Sequence, residues 1–361
     1  MKAKHRSRLA DFRLTFFLLI STFYLFYFVV VWGLMDYFKD GMLKTYVSGP
    51  GIHVELLISA VGFAATMLLV DVWSDSTRLR RRPFGQIILI KSGVYVLCLL
   101  VVASITNVVL LLFVFPGDQL MRMMQAMTGR LVVSIIVSFI VSVVAVNFLR
   151  EVRRKVGPGN LAALISGRYH RPKSEDRLFL FIDLQGSTTI AETLGHRQYS
   201  QLLNECFHDL TDFVLESGAS IYQYVGDEVV LTWTAGDAVS SEQCLEAFFG
   251  FDRRLAKRSE YYEHRFGHAP QFRAGADVGS VTATEVGDIK RDIAYHGDPL
   301  NTAARLLELC KTDGRRMLIS DRVQTEIRNG SGLLTNWIGD FQLRGKAEKV
   351  GVYGVSSATA S

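Results

Sequence analysis

Two aspartates could share one catalytic task although 44 positions separate them in the chain. Asp183 ends the apolar run RLFLFIDL, which predicts a buried strand, and Asp227 follows Gly226 between two further apolar runs, IYQYV and EVVLTW. Neighbouring strands of one sheet can bring two such carboxylates together. Paired carboxylates suit two Mg²⁺ or Mn²⁺ ions, one activating a hydroxyl group and the other neutralising a triphosphate. The alternative is that both residues only form turns and caps.

A phosphate site could follow the first aspartate. Gly186, Ser187 and Thr188 stand where an amphipathic segment begins, so the backbone N–H groups there have no earlier helical turn to bind. Free N–H groups at a helix N-terminus bind anions. Simple helix capping would use the same residue types. The sequence has no glycine-rich loop with a Walker-type lysine, so a P-loop NTPase is not supported.

A polar pair, Asn301 and Arg305, lies in the segment PLNTAARL. Positions four apart share one face of a helix, and Pro299 favours a helix start there. A positive charge fixed in this way can stabilise negative charge that develops in a transition state. Arg305 could instead form an ion pair with Glu308 on the helix surface.

The second half of the chain has the pattern of an α+β domain. From Leu178 onward, short apolar runs alternate with amphipathic segments in the order strand, helix, two strands, helix, strand. This order predicts a ferredoxin-like fold. Asp227 would then lie at the tip of a hairpin beside the strand that carries Asp183. Glu228 would point away from Asp227 into solvent, because neighbouring strand residues face opposite sides.

Five segments of this half occur together in one order. They are FIDLQGSTTIAE, YVGDEVVLTW, RAGADVGSV, HGDPLNTAARL and FQLRGKAEKVGVYGV. Together they resemble the class III adenylate/guanylate cyclase catalytic domain, and the resemblance covers residues 178–355. It implies a lyase that converts ATP to 3′,5′-cyclic AMP and pyrophosphate with two Mg²⁺ or Mn²⁺ ions in each active site.

The resemblance also implies roles for individual residues. The implied metal ligands are Asp183, Asp227 and the backbone of Ile182 or Leu184. The implied catalytic residues, which act on the ribose and the α-phosphate, are Asn301 and Arg305. The implied phosphate-binding residues are Gly186, Ser187, Thr188, Arg273, Arg344 and Lys346. In the family the metal carboxylates of one domain face the asparagine and arginine of another, so the single domain of this chain implies a homodimer.

Two positions that would recognise the base depart from the family's pattern. ATP-specific members usually have a lysine four residues before the second metal aspartate, where this chain has Gln223. They have an aspartate or threonine where this chain has Ala294, and GTP-specific members tend to have a glutamate and a cysteine at the two positions. Gln223 can hydrogen-bond a purine edge, whereas Ala294 offers only its backbone. ATP is the expected substrate; the alternatives are a guanylate or dual-specificity cyclase, or a non-catalytic nucleotide-binding regulatory module.

Residues 1–149 have the pattern of a membrane domain. Four apolar runs, each long enough to cross a bilayer as a helix, cover about residues 14–35, 52–73, 92–115 and 131–149. Basic clusters flank these runs, and the positive-inside rule places the N-terminus and the second half in the cytoplasm. The predicted fold class is an α-helical transmembrane bundle of four spans, followed by the α+β ferredoxin-like cyclase domain. The predicted location is the inner or plasma membrane.

The remaining segments and partners follow from composition. Residues 150–177 would be a linker and residues 356–361 a tail. Residues 1–157 hold 18 Lys/Arg and 8 Asp/Glu, but these charges flank apolar runs, so nucleic acid is not an expected partner. The expected partners are ATP, a second copy of the chain, membrane lipid and an unidentified ligand of the membrane domain. The four cysteines show no CxxC spacing, which argues against a zinc site and favours a reducing compartment.

Overall fold

A computed structural model describes residues 84–113 and 166–357, apart from 236–237, 328–332 and 347, and isolated helical positions between residues 17 and 164. The chain divides into two compact units. The first is Arg8–Val156, and the second consists mainly of Gly157–Ser361. Helix α1 (Phe84–Phe113) is the long continuous element described in the first unit.

The prediction of a four-span transmembrane bundle is corrected by the structure. Across the ranges just given, no helix is long and apolar enough to cross a membrane. A span needs about 20 consecutive apolar residues within one helix. The runs at 14–35, 52–73 and 131–149 lie mostly outside the described residues, and the run at 92–115 lies largely in α1.

Helix α1 has polar residues packed near the start of the run at 92–115. Lys91 and Ser92 are both buried. The side-chain amide of Asn147 donates to Ser92 Oγ at 3.0 Å and to the backbone carbonyl of Ile88 at 3.2 Å. The membrane location, the lipid partner and the membrane-domain ligand depended on the four spans, so they stay predictions without support from the structure.

The second unit is an α+β domain built on one sheet. Its described elements, in chain order, are β1 (Lys173–Leu184), α2 (Ser187–Ser217), β2 (Ser220–Val225), β3 (Glu228–Thr234), α3 (Ala238–Lys257), α4 (Ser259–Phe266), β4 (Phe272–Val286), β5 (Asp292–His296), α5 (Asp298–Asp313), β6 (Met317–Ser320), α6 (Asp321–Glu326), β7 (Leu333–Phe341) and β8 (Val350–Ser357). The strand order across the sheet is β2-β3-β1-β4-β6-β8-β7, and β5 pairs with β4.

The first four strands confirm the ferredoxin-like α+β domain. Strand β1 lies between β3 and β4 and runs antiparallel to both, while β2 and β3 form an antiparallel hairpin. Beyond β4 the sheet continues through a parallel pairing with β6. The end of β1, which carries Asp183, is therefore enclosed by strands on both sides.

The two faces of β1 pack against different helices. Leu178, Leu180 and Ile182 belong to the large core that also contains residues of α2, α3 and α4. The alternate residues Phe179 and Phe181 belong to a second core with residues of α5. Because side chains alternate along a strand, the next odd-numbered residue, Asp183, lies on the α5 face.

Helix α5 approaches β4 closely at a glycine. A Cβ atom built on Gly275 would lie 2.4 Å from the carbonyl oxygen of Ala303 and 2.4 Å from the backbone nitrogen of Leu307. Both atoms belong to the backbone of α5, so a side-chain rotation could not relieve the overlap. The glycine therefore determines how near α5 lies to the strands that carry the acidic residues.

Substitution of this glycine provides a test of the close approach. We expect Gly275→Ala to lower the free energy of unfolding by about 3 kcal/mol, the upper end of the range for overpacking, because helix and strand must separate. Gly314→Ala is the matched control, since its added Cβ meets nothing within 4 Å and it has only the strain of a positive φ of 76°. That strain costs about 1 kcal/mol. Urea unfolding followed by circular dichroism compares the two; equal losses would contradict the packing argument.

Candidate active site

The two aspartates of the predicted metal pair lie close together. Asp183 is the penultimate residue of β1 and is 8% exposed. The pairing of β1 with β3 extends to Ile182 opposite Val229, so the tip of the β2–β3 hairpin reaches the end of β1. Gly226, with φ of 63°, forms the turn at that tip, and Asp227 follows it. The carboxyl group of Asp227 is a direct neighbour of Asp183.

Burial, a lysine and a second acid together determine the pKa of Asp183. Burial raises the pKa of Asp183, the Lys311 ammonium opposes that rise, and the Asp227 carboxylate adds to it. Lys311 Nζ donates to Asp183 Oδ2 at 2.7 Å. One oxygen of Asp227, Oδ2, is buried and accepts no hydrogen bond. A buried carboxylate oxygen without a donor is costly unless a cation or a donor satisfies it.

A third acid, Glu228, faces the same cluster. It is half-buried, and its pKa is raised by burial and then by Asp183. The expectation that Glu228 points into solvent is wrong, because it shares its face of β3 with Val230, which packs in the core on the α5 side. The alternation of strand side chains does not apply to Asp227, because it lies in the turn and not in the strand.

The donor set fits a divalent metal that also binds substrate. Within the described part of the chain, no group of three or more His, Cys, Asp or Glu side chains could hold a metal ion. Mg²⁺ commonly uses only one or two protein carboxylates, with substrate phosphates and waters as its other ligands. Asp183 and Asp227, with its unsatisfied oxygen, match that pattern. The backbone of Ile182 or Leu184 was the other predicted metal ligand. Ile182 pairs with β3 and β4, whereas Leu184 pairs only with β4.

The predicted phosphate segment opens helix α2. Gly186 is the N-cap residue, with φ of 70°, and no side chain caps the helix there. Ser187 and Thr188 are the first helical residues, so their N–H groups have no intrahelical acceptor. Ser187 and Thr188 follow the buried Asp183 by four and five residues, at the same end of β1. The arrangement suits an anion held next to the acidic pair.

A tyrosine missed in the sequence also reaches this region. Tyr199 is half-buried, and its phenol lies near Ser187 and Asp227. Burial and then the charge of Asp227 raise its pKa. Tyr199 lies one turn before Leu202 on the apolar face of α2, so its position on that face was the available signal. The break of the helix at Gly195, with φ of 71° and ψ of 158°, was not predicted.

Asn301 and Arg305 lie on α5, as expected, and both point outward. Asn301 is exposed, and the Arg305 side chain is 34% exposed. Nη1 of Arg305 donates to both carboxylate oxygens of Glu308 at 2.8 Å, which is the surface pair considered as the alternative. Within one chain, the residue of α5 that contacts Asp183 is Lys311 and not Arg305.

The three basic residues assigned to phosphate occupy different settings. Arg273 pairs directly opposite Asp183 across β1 and β4, and its buried Nε makes no hydrogen bond. Arg344 is exposed. Lys346 donates from Nζ to Asp298 Oδ2 at 2.8 Å at the start of α5. Only Arg273 of the three is therefore shown beside the acidic pair.

Asp298 connects Lys346 to the core. The same Oδ2 accepts a bond of 3.1 Å from Arg322, which also binds the fully buried Asp277. Although burial acts to raise it, the pKa of Asp298 is lowered by Lys346 and Arg322. This chain of alternating charges fixes the position of the Lys346 ammonium.

The two base-recognition positions flank one aromatic contact. Gln223 is exposed on β2, and Ala294 is half-buried on β5. The rings of their neighbours, Tyr222 and Tyr295, lie 5.1 Å apart in an edge-to-face arrangement. Ring contacts of this kind stabilise their elements by about 0.5–1.5 kcal/mol. The contact holds the two strands near each other, with the polar Gln223 side chain left available.

The crowding of acids predicts a pH-dependent stability. Folding raises the pKa of Asp183 above its ordinary value of 3.8, so its stabilising contribution is present below that pH and is lost as pH rises through the folded pKa. We therefore expect Asp183→Asn to stabilise the metal-free protein at pH 7 by roughly 0.5–2 kcal/mol, the usual range for stabilising substitutions. The gain should shrink towards pH 4.

Thermal unfolding at several pH values, with a chelator present, measures this effect. Asp313→Asn is the matched control, because Asp313 lies in an exposed pair with Arg315 at 2.6 Å and should change stability little at any pH. If Asp183→Asn destabilised the protein equally at all pH values, the electrostatic account of the site would be wrong.

Comparison with known proteins agrees with this geometry. The sequence model of the family described as "Adenylate and Guanylate cyclase catalytic domain" matches residues 171–356. Adenylate cyclase 2 of Rhizobium meliloti (strain 1021) is 34% identical over 214 residues, 59% of this chain and 59% of that protein. An uncharacterized protein of Mycobacterium tuberculosis is 29% identical over 159 residues, 42% of this chain and 27% of that protein. The chain thus spans at most about three fifths of these relatives.

A solved structure shows the same fold. The structure of a bacterial light-regulated adenylyl cyclase superposes with a TM-score of 0.51 and 20% sequence identity, covering 59% of this chain and 62% of that one. The family match covers more than half of the 361 residues and includes the strands and helix that present Asp183, Asp227, Asn301 and Arg305. The chain therefore belongs to the adenylate and guanylate cyclase catalytic domain family.

Proposed function

We propose that this chain is an adenylate cyclase that converts ATP to 3′,5′-cyclic AMP and pyrophosphate. The observation that supports it most is the meeting of Asp183 and Asp227, with an unsatisfied buried oxygen, beside the uncapped N-terminus of α2. This arrangement suits a metal–triphosphate complex. The similarity to a protein named adenylate cyclase 2 favours ATP over GTP.

The acidic pair would hold the metal ions of the reaction. Asp183 and Asp227, with the backbone carbonyl of Ile182 or Leu184, supply only oxygen ligands, which Mg²⁺ and Mn²⁺ prefer. Two such ions, when bound, neutralise the triphosphate and make the ribose 3′-hydroxyl a better nucleophile.

The remaining residues bind and orient the nucleotide. The N–H groups of Ser187 and Thr188 would bind the terminal phosphates, and Gln223 would face the adenine edge. The ribose 3′-oxygen attacks the α-phosphorus, the bond from that phosphorus to the bridging oxygen of the β-phosphate breaks, and pyrophosphate leaves. The hydroxyl proton passes to solvent. Arg305 would stabilise the charge that develops on the α-phosphate, while Asn301 positions the ribose.

We infer that the complete site needs two copies of the chain. In one chain Arg305 is paired with Glu308 on the surface and Lys311 is the group on Asp183. The Arg305–Glu308 pair is exposed, at 34% and 59%, so it is weak enough to yield to a phosphate from a second protomer. A head-to-tail homodimer would place Arg305 and Asn301 of one copy opposite the aspartates of the other.

We place the catalytic reaction in the cytoplasm. The proposed substrate is a cellular nucleoside triphosphate, and all four cysteines are free thiols. Cys206, Cys244 and Cys310 are buried and unpaired with sulfur, which suits a reducing compartment.

A product assay tests the proposed function. The full chain, supplied with Mn²⁺ and either ATP or GTP, should form cyclic AMP from ATP, identified by mass. Asp183→Asn should lower that rate by on the order of 100-fold or more, because it removes a charge that the reacting complex needs. Asp313→Asn should leave it unchanged. Cyclic GMP as the main product would support a guanylate cyclase, and no cyclic nucleotide at any protein concentration would exclude both enzymes.

Mixing two inactive variants tests the shared site. Asp183→Asn and Arg305→Ala each disable both sites of a homodimer. A heterodimer of the two has one doubly altered site and one intact site, so an equilibrated equal mixture should recover about a quarter of the wild-type rate. A mixture no more active than either variant alone would show that each site is built within one chain.

A further inference from the structure

The ammonium of Lys311 lies beside the buried carboxylate of Asp183. It lies 2.7 Å from Oδ2 of Asp183, a carboxylate whose side chain is only 10% exposed. Lys311 itself is 55% exposed, so its stem extends over the surface and only its charged end reaches the buried acid. Lys311 belongs to the last turn of α5, where the helix dipole favours a positive charge.

The site around this contact has an excess of negative charge. Asp183, Asp227 and Glu228 act on one another there, and Lys311 is near all three. Three carboxylates, this ammonium and the guanidinium of Arg273, which pairs opposite Asp183, leave a net charge of about −1 when all are ionised. The buried Oδ2 of Asp227 receives no hydrogen bond, so the ammonium satisfies only part of the acidic cluster.

An ammonium and a divalent ion compete for the same carboxylate oxygen, because each positive charge makes the binding of the other less favourable. Mg²⁺ lies about 2.0–2.1 Å from its oxygen ligands, which is closer than the 2.7 Å between Lys311 Nζ and Asp183 Oδ2. The two positive charges would then repel at close range. The Lys311 ammonium can move away from Asp183, because its four-carbon side chain is flexible and is 55% exposed.

We propose that Lys311 is a tethered cation that occupies the metal side of Asp183 in the nucleotide-free enzyme and is displaced when a divalent ion binds. This inference rests on the proposed function, since it assumes that Asp183 is a metal ligand. Lys311 is a positioning residue: its ammonium, 2.7 Å from Oδ2, holds the Asp183 carboxylate in place before the metal arrives. It also makes the empty enzyme a weaker metal binder than its acidic residues alone would be.

The test is Mn²⁺ binding without nucleotide. The full chain is titrated with Mn²⁺, and the free ion is measured by its electron paramagnetic resonance signal. Lys311→Met, which keeps the length of the stem and removes the charge, should lower the dissociation constant roughly three- to tenfold, as expected for loss of a competing ion pair. Lys311→Arg should bind Mn²⁺ like the wild type. Lys257→Met, at an exposed lysine in the last turn of α3, controls for net charge and should also be unchanged.

The outcomes separate this inference from the proposed function. Circular dichroism first establishes that each variant is folded. If Asp183→Asn abolishes tight Mn²⁺ binding while Lys311→Met leaves the affinity unchanged or weaker, the tethered-cation role is wrong and the metal assignment stands. If Asp183→Asn binds Mn²⁺ like the wild type, the metal assignment is wrong and this inference fails with it. Because no nucleotide is present, neither result depends on which nucleotide is cyclised.

Discussion

The contact between helix α5 and strand β4 at Gly275 is the constraint on which the site depends. The helix lies so near the strand that no side-chain atom fits between them at that residue. Helix α5 thereby places Lys311 beside the carboxylate of Asp183 on β1 and presents Asn301 and Arg305 at its surface. A helix held further from the sheet would keep the same residues and lose the ion pair between Lys311 and Asp183.

Burial strengthens the electrostatic interactions within the acidic cluster of Asp183, Asp227 and Glu228. Asp183 is enclosed by β3 and β4, so its charge is poorly solvated and its neighbours act on it strongly. Such a site is unfavourable when empty and becomes favourable when positive charge enters it. In the proposed function, the same residues that weaken the empty protein would provide affinity for metal and nucleotide, which is the usual relation between stability and function at active sites.

Local patterns in the sequence predicted much of this domain. Alternation of apolar runs and amphipathic segments was sufficient for the ferredoxin-like order, because each element has its own period. Asp183 and Asp227 could be paired because Asp183 lies at the end of one strand and Asp227 lies in the turn of the neighbouring hairpin. Glu228 was misjudged, since the residue at which a turn gives way to a strand decides the face of every later residue. Lys311 could not be found, because its position depends on how α5 crosses the sheet. The four membrane spans were predicted from apolar composition, and among the residues that the structure describes no helix is long and apolar enough to cross a membrane.

The chain of charges that ends at Lys346 has a consequence for the segment between β7 and β8. Asp277 and Asp298 are balanced by Arg322 and Lys346, two acids against two bases, and Asp277 is fully buried. Loss of the Lys346 contact would leave this set with one negative charge in excess at the first turn of α5. The β7–β8 segment can therefore change in length or sequence only where a cation still reaches Asp298. A loop at the surface is thus constrained by the charge balance of residues that are buried beneath it.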